Sequence, residues 1–200
     1  MNAKELASTL AVLAAALGPR HAQAVQDLAA CGQDDGEETL QTHPWLTQLQ
    51  RAAQVAGALE VEKDYVRLFF SPRGALCPPW EGVWVGESPR LFGPRHESVL
   101  TFARRLGVEP PDYERESADH IATELTLAGF FLSSENPGVF HEFWDQHLQP
   151  WVSVFGRCLE EHASTDFYRL VGRALQELAD TTRRSLFPAD PSFDLYEQGR

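Results

Sequence analysis

Apolar residues recur at helical spacing along almost the whole chain, and the pattern breaks for a long stretch in one place. Leu6, Leu10, Leu13 and Leu17 step by four and three, the stripe with which a helix meets a core. The same periodicity predicts helices over Ala3–Leu17 and Arg20–Cys31, separated by Gly18-Pro19, and then over Trp45–Ala56 and Glu60–Phe70. It returns over Glu97–Leu106, from Ser117 to Phe131 or beyond, and over Val139–His147, Pro150–Glu161 and Thr165–Phe187. No strand series, internal repeat or sustained heptad accompanies them. The expected fold is all-α, a single-domain helical bundle of roughly eight to ten helices spanning residues 1–200.

The interruption is Ser71–Pro94, where prolines and glycines crowd too closely for a continuous helix. An ordered loop of that length in a compact domain is usually functional. Two further connectors are expected, the acidic Gln33–Glu38 and the Pro110-Pro111 segment within Gly107–Glu116. After the second, Ser117 is the expected N-cap, its hydroxyl accepting an early amide hydrogen bond.

The 200 residues carry 29 acidic against 17 basic side chains, a formal charge of −12. That balance argues against a nucleic-acid partner, which needs clustered cations, and favours basic peptides where the negative charge is concentrated. No apolar run approaches the roughly 18–20 residues needed to cross a bilayer, so no stable membrane insertion is expected. The Leu/Ala-rich start and Ala22-Gln23-Ala24 imitate a cleaved leader. Glu5 cancels Lys4, however, and Gly18-Pro19-Arg20-His21 breaks the segment, so an ordinary first helix is expected. Cys31, Cys77 and Cys158 are odd in number and far apart, which predicts three inert thiols in a reducing compartment rather than a disulfide framework or a metal site.

Sites for bond-making chemistry are poorly represented. His141-Glu142-Phe143-Trp144-Asp145 misses the H-E-x-x-H zinc helix by its last residue. Phe143 and Trp144 look like core anchors, so no metal is expected there. No G-x-S-x-G elbow, P-loop or G-x-G-x-x-G is present. No catalytic residue and no resident cofactor are expected. Asp119-His120 offers an acid beside an imidazole, but adjacent helical residues point about 100° apart. Glu116 and Asp119 suit the positive end of a helix dipole, whereas an imidazolium at His120 would not.

The aromatic half of the candidate site is Tyr65, Leu68 and Phe69, at i, i+3 and i+4, followed by Pro78-Pro79-Trp80. Prolines stiffen a loop while displaying an indole that packs and donates a hydrogen bond. Apolar anchors rimmed by carboxylates suit a peptide that is both hydrophobic and arginine-bearing.

At these residues the chain resembles the TorD/DmsD-type chaperones that mature molybdenum-containing oxidoreductases. The likeness runs through Tyr65-Val66-Arg67-Leu68-Phe69, Ser71-Pro72, Pro78-Pro79-Trp80-Glu81 and Val83-Trp84. It continues through Glu116–His120, similar to the family's E-P-x-D-H signature with Ser117 in place of proline, then His147-Leu148-Gln149-Pro150-Trp151 and Phe167-Tyr168-Arg169. The resemblance implies a cytoplasmic, non-enzymatic, system-specific chaperone. It would bind the twin-arginine signal peptide of a molybdopterin-containing oxidoreductase and hold that enzyme from export until its cofactor is inserted. It implies peptide-binding roles for Tyr65, Leu68, Phe69, Pro79, Trp80, Glu116, Asp119 and His120, and a monomer or a domain-swapped dimer. Two readings stand beside it. One is a small metal- or nucleotide-dependent hydrolase using His120 and Asp119, or His141. The other is an acidic scaffold without a peptide site, which predicts a wholly internal Trp80.

Overall fold

The computed structural model describes residues 2–31, 44–70, 74–86, 91–109, 116–134 and 136–186. Among them are nine α-helices and no strand: α1 (Ala3–Leu17), α2 (His21–Cys31), α3 (Pro44–Phe69), α4 (Glu81–Trp84), α5 (Pro94–Arg105), α6 (Ile121–Leu132), α7 (Pro137–Phe143), α8 (Val152–His162) and α9 (Asp166–Leu186). A π-helical turn, Trp144–Leu148, follows α7 directly. The all-α expectation holds. The acidic connector Gln33–Glu38, most of the Pro110-Pro111 connector and the tail from residue 187 lie outside the described residues.

The leucine stripe of α1 does what its spacing predicts: Leu10, Leu13 and Leu17 are buried, and α1 lies along α6. Asn2 and Glu5 close its N-terminus reciprocally, each side chain bonding the other's amide at 2.9 Å. The two helices expected over 45–56 and 60–70 run on as one span broken at Gly57, whose φ of +72° a side chain would resist. α5 begins three residues earlier than expected, because Pro94 occupies the first turn after Gly93, where its missing N–H costs nothing.

α8 and α9 form the tightest crossing. A methyl on Gly156 would stand 2.6 Å from the Gly172 carbonyl, and one on Gly172 would strike the Gly156 carbonyl in turn. Bare backbone on both sides is what brings the axes together. Phe155 on α8 and Phe167 and Tyr168 on α9, with Trp151 against Phe155, are fully buried at this pair.

Asp64, on α3, fixes where α9 starts. Its carboxylate accepts from the backbone amides of Ser164 and Thr165, from the Thr165 hydroxyl and from Arg67. Burial alone would raise this carboxyl. The hydrogen bonds from Thr165, Arg67 and Ser164 together outweigh burial and hold it below the usual carboxylate range.

Cys77 and Cys158 form a disulfide, with Cα atoms 5.9 Å apart, joining the loop before Trp80 to α8. The expectation of three free thiols is therefore corrected. Sequence separation of 81 residues hid the pair, because only folding brings the loop onto α8.

Candidate functional site

The break in periodicity at Ser71–Pro94 is not all loop: the single turn α4 lies within it. Two elements remote in sequence meet there. Trp80 and His120 form an isolated antiparallel bridge, Glu81 N–H donates to Asp119 O at 2.9 Å, and Ile121 N–H donates to Pro79 O at 2.8 Å. The proline turn and the Asp119-His120 helix start thus lie side by side, held by backbone hydrogen bonds that need no particular side chain.

The helix start differs from the expectation. His120, not Ser117, is the N-cap of α6, its Nδ1 accepting from Ala122 N–H at 3.1 Å. Ser117 lies outside the helix, and its hydroxyl donates to Asp119 Oδ1 and lies 3.2 Å from His96 Nδ1. Asp119 does not face the α6 dipole either; Oδ2 accepts from Gly82 N–H at 3.0 Å and ties α4 down. Burial holds the His120 imidazole down to about 4. The polar atoms of Asp119 and His120 therefore go to different partners, and the two do not form an acid–base dyad.

Burial divides the predicted peptide-binding residues. Leu68, Phe69, Pro79, Asp119 and His120 are buried, as is Tyr65. Their packing explains why: Phe69 lies against Tyr65, Phe155 and Tyr168 in the core. The apolar i, i+3, i+4 face of α3 is thus an inward stripe rather than an open groove. Trp80 and Glu116 are only partly buried, and the indole Nε1 donates to Glu116 Oε1 at 3.2 Å. The scaffold reading required an internal Trp80, which the structure does not have.

Next to Tyr65 and Ser117 the sequence reading missed three aromatic rings, Phe70, Phe92 and His21. Tyr65 feels the Glu116 charge, which adds to burial in raising its phenol. Phe70 lies 5.6 Å from the Tyr65 ring and is half exposed. Phe92 is half exposed at φ +55°, with its amide donating to Ser117 Oγ. His21 stacks on Tyr65 at 3.3 Å and bonds Glu62. Nothing in periodicity separates Phe70 from Phe69, since exposure there depends on where α3 ends.

Beneath the bridge is a wholly buried polar cluster. Glu81 accepts from Arg95 at Oε1 (2.9 Å), and its Oε2 lies 3.1 Å from His147 Nδ1. Glu124, on α6, accepts from Trp151 Nε1 at Oε2 (3.2 Å). Burial, followed by the charges of Glu81 and Asp119, pushes the Glu124 carboxyl well above its usual range. Elsewhere, His141 is exposed, and Glu142 pairs with Arg105. The near-zinc motif thus has no cluster of its own among the described residues.

A model of the nitrate reductase delta subunit family matches residues 33–157, a span that contains the bridge, the proline turn and the acidic cluster. The chain belongs to this family. It is 26% identical over 135 residues to the Tat proofreading chaperone DmsD of Salmonella typhimurium, covering 64% of this chain and 66% of that one. It is 28% identical over 128 residues to the chaperone protein TorD of Shewanella loihica, covering 60% of each. The chain spans about half to two thirds of the length of such relatives. Among solved structures, a proposed redox enzyme maturation protein from Archaeoglobus fulgidus superposes with a TM-score of 0.62 at 20% identity, covering 90% of this chain and 94% of that one. That likeness concerns the delta-subunit fold alone. No helix among the described residues is long and apolar enough to cross a membrane.

Proposed function

We propose that the chain is a cytoplasmic maturation chaperone that recognises the twin-arginine signal peptide of a molybdenum-cofactor oxidoreductase and releases it without turnover. The observation that carries this reading is the Trp80–Glu116 pair: an indole and a carboxylate hydrogen-bonded together and partly open to water. A carboxylate receives a guanidinium through charge-assisted hydrogen bonds. Trp80, Phe70 and Phe92 supply apolar area for the residues that follow the arginines. The relatives named as Tat proofreading and TorD chaperones support the same role.

The buried predicted residues enter this mechanism from below. Asp119 and His120 hold the bridge that positions Trp80, Pro79 accepts the Ile121 amide, and Tyr65, Leu68 and Phe69 form the floor. They are positioning residues, and only Trp80 and Glu116 of the predicted set meet the peptide.

Calorimetry tests this with a twin-arginine peptide carrying an apolar stretch and its Lys-Lys counterpart. Trp80→Ala and Glu116→Gln are each expected to weaken binding about tenfold or more, roughly 1.4 kcal/mol, with the Lys-Lys peptide losing a similar factor on the wild type. Equal affinity across the three proteins would remove the proposed site.

A further inference from the structure

We infer that Glu81, Glu124 and His147 form a binding site for one divalent first-row transition cation in the interior, beneath the Trp80–His120 bridge. One ligand atom from each lies within 4.8 Å of the others, and all three residues are fully buried. The inference does not depend on the peptide reading.

Three independent features carry it. The first is a pair of orphaned atoms. Glu124 Oε1 and His147 Nε2 are buried and receive no hydrogen bond, and buried polar atoms without partners are uncommon in folded proteins. The second is the way the other oxygens are held. Arg95 takes Glu81 Oε1 and Trp151 takes Glu124 Oε2, so that Glu124 Oε1 is left without a donor and Glu81 Oε2 faces only the His147 imidazole, whose Nδ1 is 3.1 Å away. Outer donors that fix one carboxylate oxygen and turn the other towards a neighbouring ligand group are the usual surroundings of metal-binding carboxylates.

The third is the backbone. His147 stands in the π-helical turn Trp144–Leu148, where Gln149 N–H bonds the Trp144 carbonyl at 2.8 Å. Such turns are rare and concentrate at functional sites, because the extra residue re-aims a side chain. Here it accompanies an imidazole directed inward, against Glu81, while His141 one and a half turns earlier stays on the surface. Charge points the same way. Ionised, the Glu81, Glu124 and Asp119 carboxylates outnumber the Arg95 guanidinium three to one, an excess a divalent cation cancels. Imidazole with two carboxylates suits Zn²⁺, Fe²⁺ or Mn²⁺ better than Ca²⁺ or Mg²⁺, which prefer all-oxygen cages. Bound there, the cation would tie α4, α6 and the π-helical turn together.

Co²⁺ titration of the chelator-stripped full-length chain decides the matter. Visible d–d absorption should saturate at one equivalent. The thermal midpoint should rise by about 5–10 °C at a hundredfold excess over Kd. Glu124→Gln keeps the shape of a neutral carboxylic acid, so it is expected to fold, as checked by circular dichroism, and to lose both the absorption and the thermal shift. His147→Gln should do the same, while His141→Ala should bind as the wild type does. No saturable uptake by the wild type overturns the proposal and leaves a proton shared by Glu81 and Glu124 as the neutralising charge. Undiminished uptake by folded Glu124→Gln, or loss in His141→Ala, overturns it equally.

Discussion

Two buried acidic centres are treated in opposite ways. At the start of α9 the Asp64 carboxylate accepts amide, hydroxyl and guanidinium donors at both oxygens, and they hold it ionised. Under the Trp80–His120 bridge, Glu124 has one oxygen on Trp151 and the other without a donor, and its carboxyl is pushed upward. Both carboxyls are shielded from water, but Glu124 lies deeper in the protein and has fewer donors, and the two differences push it the same way. A carboxylate whose acceptors are all matched joins elements together, whereas one left with a free acceptor among other acids retains capacity for a ligand or a proton.

Substitution should separate the two centres sharply. Asp64→Asn turns one acceptor into a donor facing amide N–H groups that already donate. It should cost about 3 kcal/mol, read from urea unfolding at pH 7. A loss under about 1 kcal/mol would mean that the α9 start is not anchored there. Glu124→Gln, in metal-free protein, should change stability by no more than about 1 kcal/mol, because an amide replaces an uncharged carboxyl of the same shape. If it unfolds the protein as readily as Asp64→Asn, the contrast between the centres is wrong.

Between these extremes falls the pH response of the bridge. Burial sets the folded His120 near 4, against 6.5 in the unfolded chain. The unfolded state therefore binds the extra proton in that window. The associated stability is complete above about pH 6.5 and drains away as pH falls towards 4, by about 2 kcal/mol between pH 7 and 5. His120→Asn retains an N-cap acceptor but cannot titrate. Its unfolding free energy should fall less steeply over the same range, and parallel curves for the two proteins would place the pH response elsewhere.

Legibility in the sequence followed the same division. Helix identity, the α1 stripe and each half of the candidate site, the proline turn and Asp119-His120, were readable, because local periodicity and short motifs carry them; the backbone bonds that join the two halves are not local. Ser117 looked like a cap because residue type favours it, yet the bridge to Trp80 pins the backbone three residues later and gives that role to His120. The Tyr65, Leu68 and Phe69 face could not be assigned to groove or core from spacing alone, since both present the same pattern. Glu81, Glu124, His147 and the Cys77–Cys158 pair come from distant segments, and no short-range pattern announces them.

The facing glycines of α8 and α9 act as a register lock. Sliding either helix by one residue would bring Phe155, Arg157, Val171 or Arg173 to a gap that a single methyl already overfills. The hairpin can pivot or part as a unit but cannot ratchet. Sliding of one helix past another is therefore left to elements outside the hairpin.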